Sequence, residues 1–348
     1  MALGALLAAL GACRAAGPPA SPTGGAGGAT VVLFLIDGLM ADAARTAADN
    51  GAANIQLVID RGVTVQTVHS TSPAARLALP DGSLPWGNAT SGNVAVHTGT
   101  HVFESDSRGM DDIFTAARAG GIRSVFAGGD ANYAAFTTAD FHTAGPLTDD
   151  VVVQNAIDHL TNDRVRLIRL HLQRVRDDWT GPADMTNPAS AYIQHVIADD
   201  ALLGRLIQAL QNAGVWDHTY LIIAADHGMG QTAASEHPPS TASSWDPFLA
   251  FYGPGLKAGA TIPYAELPDV AVTAMRFLQL PPLRGHLAAP SGLAHPGATG
   301  TVLANLFAGA PDDIPHPRAI ESYLKLNTFP GSGDAYAPYR TAIMTLLP

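Results

Sequence analysis

Two carboxylates and an imidazole stand where apolar runs of this chain end. Tyr220-Leu221-Ile222-Ile223-Ala224-Ala225 runs into Asp226-His227-Gly228-Met229, and Val31-Val32-Leu33-Phe34-Leu35-Ile36 runs into Asp37-Gly38. Short apolar runs of this kind read as buried strands. In an α/β sheet the carboxyl ends of strands are where ligands bind. Hard carboxylate oxygens with a borderline imidazole nitrogen suit Zn²⁺ or a similar divalent ion, with a position left open for water or substrate. The plain alternative for Asp226-His227 is a capping Asp beside an incidental His. His237 follows in Glu236-His237-Pro238-Pro239, within a Ser/Thr/Pro-rich loop. A His in such a loop is either a solvated surface residue or a further ligand.

Asn88-Ala89-Thr90-Ser91-Gly92-Asn93 precedes a helical run ending at Thr98-Gly99. A hydroxyl residue at a helix N-terminus is normally a cap. It can also be a nucleophile, because the free N–H groups and the dipole there attract a phosphate. A metal on the hydroxyl oxygen would favour the alkoxide. Asn93 could then donate to a phosphoryl oxygen gaining charge in the transition state.

The elements that must position these residues are legible as alternating strands and helices. Strands are expected at Val31 to Ile36, Val63 to Val68, Ile122 to Ala127, Arg166 to Leu172, Tyr220 to Ala225 and Phe248 to Tyr252. Helices are expected at Ala41 to Asp49, Asn54 to Arg61, from Asn93, at Met110 to Ala119, Val151 to Leu160, Ser190 to Asn212 and Pro268 to Leu278. The Ser190 to Asn212 segment repeats apolar residues with a 3.6-residue period and stops at Gly214. Such alternation argues a three-layer αβα sandwich with a mostly parallel central sheet. Ser70 to Gly87 reads as a loop, and Pro281 onward as an irregular tail within a single domain spanning 30–348.

The chain has 348 residues, 47% hydrophobic and 14% charged, with a formal charge of −11. That acidity argues against a nucleic-acid-binding surface. Cys13 is the only cysteine, so no internal disulfide can form. Ala2 to Ala12 is apolar but too short to span a bilayer, and reads as the hydrophobic part of a secretory signal. Leu10-Gly11-Ala12-Cys13 resembles a bacterial lipobox, although no Lys or Arg precedes it. The Gly/Ala/Pro-rich stretch to Gly28 reads as a flexible tether. The segment 1–29 is therefore expected to export the protein to the periplasm or cell surface, with a lipid anchor at Cys13 as its membrane partner.

The Leu33-Phe34-Leu35-Ile36-Asp37-Gly38 segment, the Thr90…Asn93…Thr98-Gly99 block and Ala224-Ala225-Asp226-His227-Gly228-Met229 together resemble the alkaline phosphatase superfamily. The branch resembled is the type I phosphodiesterase/nucleotide pyrophosphatase group. Tyr192…Asp200…Leu203-Gly204…Leu210 and Phe251-Tyr252-Gly253-Pro254-Gly255-Leu256 fall in the order that family implies. The resemblance implies one divalent metal, Zn²⁺ by expectation, held by Asp37, Thr90, Asp226 and His227, with Thr90 as nucleophile. His237 would serve a second metal. The remaining ligands of that ion come from an Asp-x-x-Gly-His element, onto which Asp178 and Gly181 map. Pro182 stands where the His belongs, and a shifted register would put Arg176 on the Asp and Thr180 on the His. The nucleophile block also departs. The family's Thr/Ser-x-Pro-Asn reads Thr90-Ser91-Gly92-Asn93 here, one residue closer to Thr98-Gly99, so Ser91 stays open beside the favoured Thr90.

Two functions follow as expectations. One is a metal-dependent hydrolase of small phosphate mono- or diesters that works through a covalent phospho-enzyme intermediate. The other is a catalytically degenerate binding protein of the same fold. A sulfatase that converts a cysteine is excluded, because Cys13 is the only one. Trp86, Trp179 and Tyr133 are candidates to stack on a leaving group.

Overall fold

The structure is a computed structural model, and it describes residues 28–70, 89–101, 110–131, 133, 138–232, 237, 241–285 and 299–319, with the side chains of 89–91 left out. The lipobox, Cys13, Trp86 and most of the expected tether lie outside these residues. Among the described residues, no helix is long and apolar enough to cross a membrane.

Among the described residues, eight strands form one sheet: β1 (Thr30–Ile36), β2 (Val63–His69), β3 (Ser124–Gly128), β4 (Phe141–Ala144), β5 (Leu167–Leu172), β6 (Thr219–Ala224), β7 (Leu249–Tyr252) and β8 (Ala260–Glu266). Their order is β4-β3-β5-β1-β6-β7-β2-β8. All neighbours run parallel except β7, which is antiparallel to both β6 and β2. Strands β1, β5 and β6 are buried along their whole length. That is why β1 and β6 read as near-continuous apolar runs rather than alternating ones, while β5 carries the buried polar residues Arg169 and His171.

Helices cover both faces. On one side α3 (Ala89–Thr98), α4 (Ile113–Ala119) and α8 (Leu267–Phe277) pack with Leu33, Leu35, Phe126 and Ile222. On the other side α1 (Ala41–Asp49), α2 (Ala53–Arg61), α5 (Asp149–Asp163) and α7 (Ala191–Asn212) pack with Val32, Phe34, Leu170 and Ile223. The result is the three-layer αβα sandwich that the sequence implied. A short helix, α6 (Arg174–Asp177), follows directly after β5.

Helix α7 shows how sequence signals set boundaries. Ser190 caps it by accepting from Ile193 N at 3.2 Å, and Gly214 turns the chain beyond it at φ 71°. The same helix caps another. The buried Asp200 carboxylate accepts from Ile55 N at 2.7 Å and from Asn54 N at 3.2 Å, satisfying N–H groups that α2 cannot satisfy itself. Asn54 Nδ2 donates to the same carboxylate at 2.9 Å. Replacing Asp200 by Ala removes every one of these acceptors. The variant should lose about 1–3 kcal/mol of stability in urea titration, with its secondary structure otherwise intact.

Candidate metal and phosphate site

Strand geometry delivers the site. Side chains alternate between sheet faces, so residues two apart share a face. Leu33 and Leu35 of β1 face α3, and Asp37 continues that face. Ile222 and Ala224 of β6 do the same for Asp226. Leu35 pairs with Ala224 in the sheet, so the two carboxylates stand side by side just beyond the last paired residues. Both are fully buried, as is His227.

The turn after each strand is held by packing. Gly38 takes φ 70°, and a Cβ there would stand 2.5 Å from Met229 Sδ. Tyr192 of α7 donates to Gly38 O at 2.8 Å, fixing the turn from the opposite layer. Trp179 packs edge-on against Tyr192 and is 3% exposed, so it belongs to the core and does not stack on a leaving group. On the other side, a Cβ on Gly92 would lie 2.1 Å from Asp226 O. A larger residue at this position would push α3 away from Asp226.

His227 Nε2 lies 3.3 Å from Asp37 Oδ1 and 3.6 Å from Asp226 Oδ2. Its Nδ1–H donates to Gly228 O at 2.9 Å, which aims Nε2 at the two carboxylates. His171, on β5, brings Nε2 to 3.3 Å from Asp37 Oδ2, and the Tyr133 hydroxyl meets the same nitrogen at 2.8 Å. Asp37, His171 and Asp226 offer ligand atoms within 4.8 Å of one another. Asp37 Oδ1, Asp226 Oδ1 and His227 Nε2 are buried without a hydrogen-bond partner. Buried polar atoms left so are costly, and a coordinated cation would satisfy them. Two carboxylates with imidazole nitrogens therefore fit a divalent ion such as zinc.

Electrostatics agree with the geometry. Burial alone would raise Asp37. The Arg176 guanidinium, His171 and His227 outweigh it and hold the carboxyl well below its usual range. Asp226 is raised by burial and by its neighbour Asp37. Burial would lower His227, but Asp226 and Asp37 win and lift it to about 9.

Behind Asp226 lies a chain that the sequence reading did not foresee. Arg169 on β5, fully buried, donates from one terminal nitrogen to Asn93 Oδ1 at 2.8 Å and to Asn93 O at 3.2 Å. Arg169 takes the amide oxygen, so the amide nitrogen is turned to Asp226 and donates to Oδ2 at 2.7 Å. Asn93 thus orients Asp226. Phe126 lies beneath the guanidinium, 5.1 Å from its carbon to the ring centre.

The remaining predicted residues divide. His237 is brought in, its ring centre 4.1 Å from that of His227. Asp178 is not; its carboxylate contacts His195 of α7. The register that set Arg176 on the Asp position matches the observed neighbours, with Arg176 3.5 Å from Asp37 Oδ2. The backbone of Thr90 and Ser91 lies in the first turn of α3, while their side chains fall outside the described residues. His171 and Arg169 had a usable signal, since two polar residues spaced by two in a buried strand share one face.

The fold is similar to that of proteins of the alkaline phosphatase superfamily. The model of one family, described as type I phosphodiesterase / nucleotide pyrophosphatase, matches residues 122–253. Murine ectonucleotide pyrophosphatase / phosphodiesterase 5, solved as an inactive variant with AMP, is 14% identical with a TM-score of 0.52, covering 74% of this chain and 96% of that one. A phosphonate monoester hydrolase from Silicibacter pomeroyi is 15% identical with a TM-score of 0.55, covering 82% and 78%. An alkaline phosphatase superfamily protein from Vibrio parahaemolyticus is 14% identical with a TM-score of 0.53, covering 72% and 67%. Among curated proteins a sequence search finds no match.

The raised His227 gives the metal-free protein a specific pH response. Its stabilising charge is complete below about pH 6.5 and is lost as pH rises through about 9. After chelation, the urea midpoint should fall across that window, and His227→Gln should remove the His227 part of the fall. An equal fall in the variant would assign the response to other groups.

Proposed function

We propose that the protein is a metal-dependent hydrolase of phosphate mono- or diesters, with a hydroxyl of the first turn of α3 as nucleophile. The observation that carries this reading is the close approach of α3 to Asp226. Gly92 lies against the Asp226 backbone, and the Asn93 amide holds the Asp226 carboxylate. The backbone at the start of that helix is therefore brought against Asp226, and we take one of its hydroxyls as the nucleophile. The free N–H groups of the helix end favour an anion there.

Asp37, Asp226 and His227 would hold the ion, which we take to be zinc; His171 and His237 lie beside them. When bound, such an ion polarises a phosphoryl oxygen and lowers the pKa of a nearby hydroxyl. The hydroxyl oxygen of Thr90, or of Ser91, then bonds to phosphorus as the ester oxygen leaves, and the hydroxyl proton ends on the leaving alcohol. Water next attacks phosphorus, restores the hydroxyl and releases the phosphate product. Arg169, through Asn93, keeps Asp226 aimed throughout. The matched family and the hydrolases of similar fold support this reaction class.

A second reading, a binding protein of the same fold without turnover, draws on the contact of Asp178 with His195, which takes that carboxylate away from the cluster. Turnover separates the two. Purified protein with added Zn²⁺ or Mn²⁺ should hydrolyse aryl phosphate mono- or diesters. Asp226→Ala should lose bound metal and at least about 10³-fold in rate, the scale of losing a group that stabilises transition-state charge. Thr90→Ala should abolish turnover while Ser91→Ala keeps it within severalfold. The reverse pattern would move the nucleophile to Ser91, and no turnover on any ester would leave the binding reading.

A further inference from the structure

We infer that the Arg176 guanidinium is the second cation of this site, the group that receives a phosphoryl oxygen beside a single divalent ion. The inference rests on the phosphoester reading above and adds to it.

The argument begins with charge. Asp37 and Asp226 are both ligand candidates, and together they cancel the charge of one divalent ion. An ion so held gives little net attraction for an anionic phosphoryl group, so a further cation is needed at the mouth. Arg176 is in that place. Its helix, α6, begins just past β5, on the rim where Asp37 and Asp226 emerge. One terminal nitrogen is 3.5 Å from Asp37 Oδ2, and the other is 3.1 Å from Asp177 Oδ1. The Arg176 side chain is 23% exposed and that of Asp37 is 0% exposed. The guanidinium therefore stands between the buried cluster and solvent. Its shaft runs beside the turn after β1, with Cβ 3.6 Å from where a Cβ on Gly38 would stand.

Of the residues that would build a second ion site, only His237 is brought beside the cluster. Asp178 meets His195, and Pro182 has no ligating side chain. Among the described residues, Asp37, His171 and Asp226 are the one group of three metal-binding side chains that draws together. A planar guanidinium also suits the task, because its fork of N–H donors matches phosphoryl oxygens in pairs.

The test uses full-length, Zn²⁺-equilibrated protein, with metal content per chain and binding of inorganic phosphate as readouts. Wild type should hold one zinc per chain. Arg176→Ala and the longer, neutral Arg176→Gln should keep that zinc and lose at least about tenfold in phosphate affinity, the scale of a charge-assisted hydrogen bond. Arg176→Lys should recover part of the loss. If Arg176→Ala does not fold, Arg176→Gln carries the same readout. Two zinc ions per wild-type chain, or unchanged phosphate affinity in a folded, zinc-loaded neutral variant, would overturn the inference. Arg176-dependent phosphate binding without turnover of any ester would sink the hydrolase reading and leave this assignment standing. Turnover with phosphate inhibition equal in wild type and Arg176→Gln would do the opposite.

Discussion

Asp37 and Asp226 are two fully buried carboxylates on neighbouring strands, two residues past the paired Leu35 and Ala224. Like charges so placed repel strongly in a medium of low dielectric, and each pays to leave water. Such a pair persists only where positive charge is supplied at close range. His227 and Arg176 supply it in front, where a divalent ion would add to it, and Arg169 supplies it from behind through Asn93. The charge distribution of the site follows from this one juxtaposition.

The packing around it serves the same end. Helix α3 must come close enough for Asn93 to reach Asp226, and Gly92 permits that approach. The chain must turn sharply after Asp37, and Gly38 and Tyr192 fix that turn. Met229 fills the space that a side chain on residue 38 would occupy. Distant layers of the sandwich thereby meet at one rim of the sheet. A change in α7 can move Asp37 through the Gly38 turn without touching its carboxylate.

Much of this was legible in the sequence, for physical reasons. Central strands β1 and β6 are buried on both faces and appear as near-continuous apolar runs. Their ends locate Asp37 and Asp226-His227 directly. The edge strands β4 and β8 were not read. Phe141-His142-Thr143-Ala144 is only half-buried, and β8 carries Pro263, which is tolerated at an edge but removes an apolar-run signal. Helix α4 begins at Ile113 rather than Met110, because Asp112 caps it by accepting from Thr115 N. Within the site, Arg169 and His171 were passed over because the apolar residues around them mark a buried strand, although their spacing by two put both on the α3 face. Asp178 fitted a motif on spacing alone, and its contact with His195 depends on how α6 packs against α7. Pairings between helices of this kind leave no trace in local pattern.

Anomalous diffraction from a zinc-soaked crystal tests the central claim most directly. The account predicts one strong peak about 2.0–2.2 Å from oxygens of Asp37 and Asp226 and from His227 Nε2. No peak at that position, or a peak that leaves the two carboxylates without a shared ion, would contradict it.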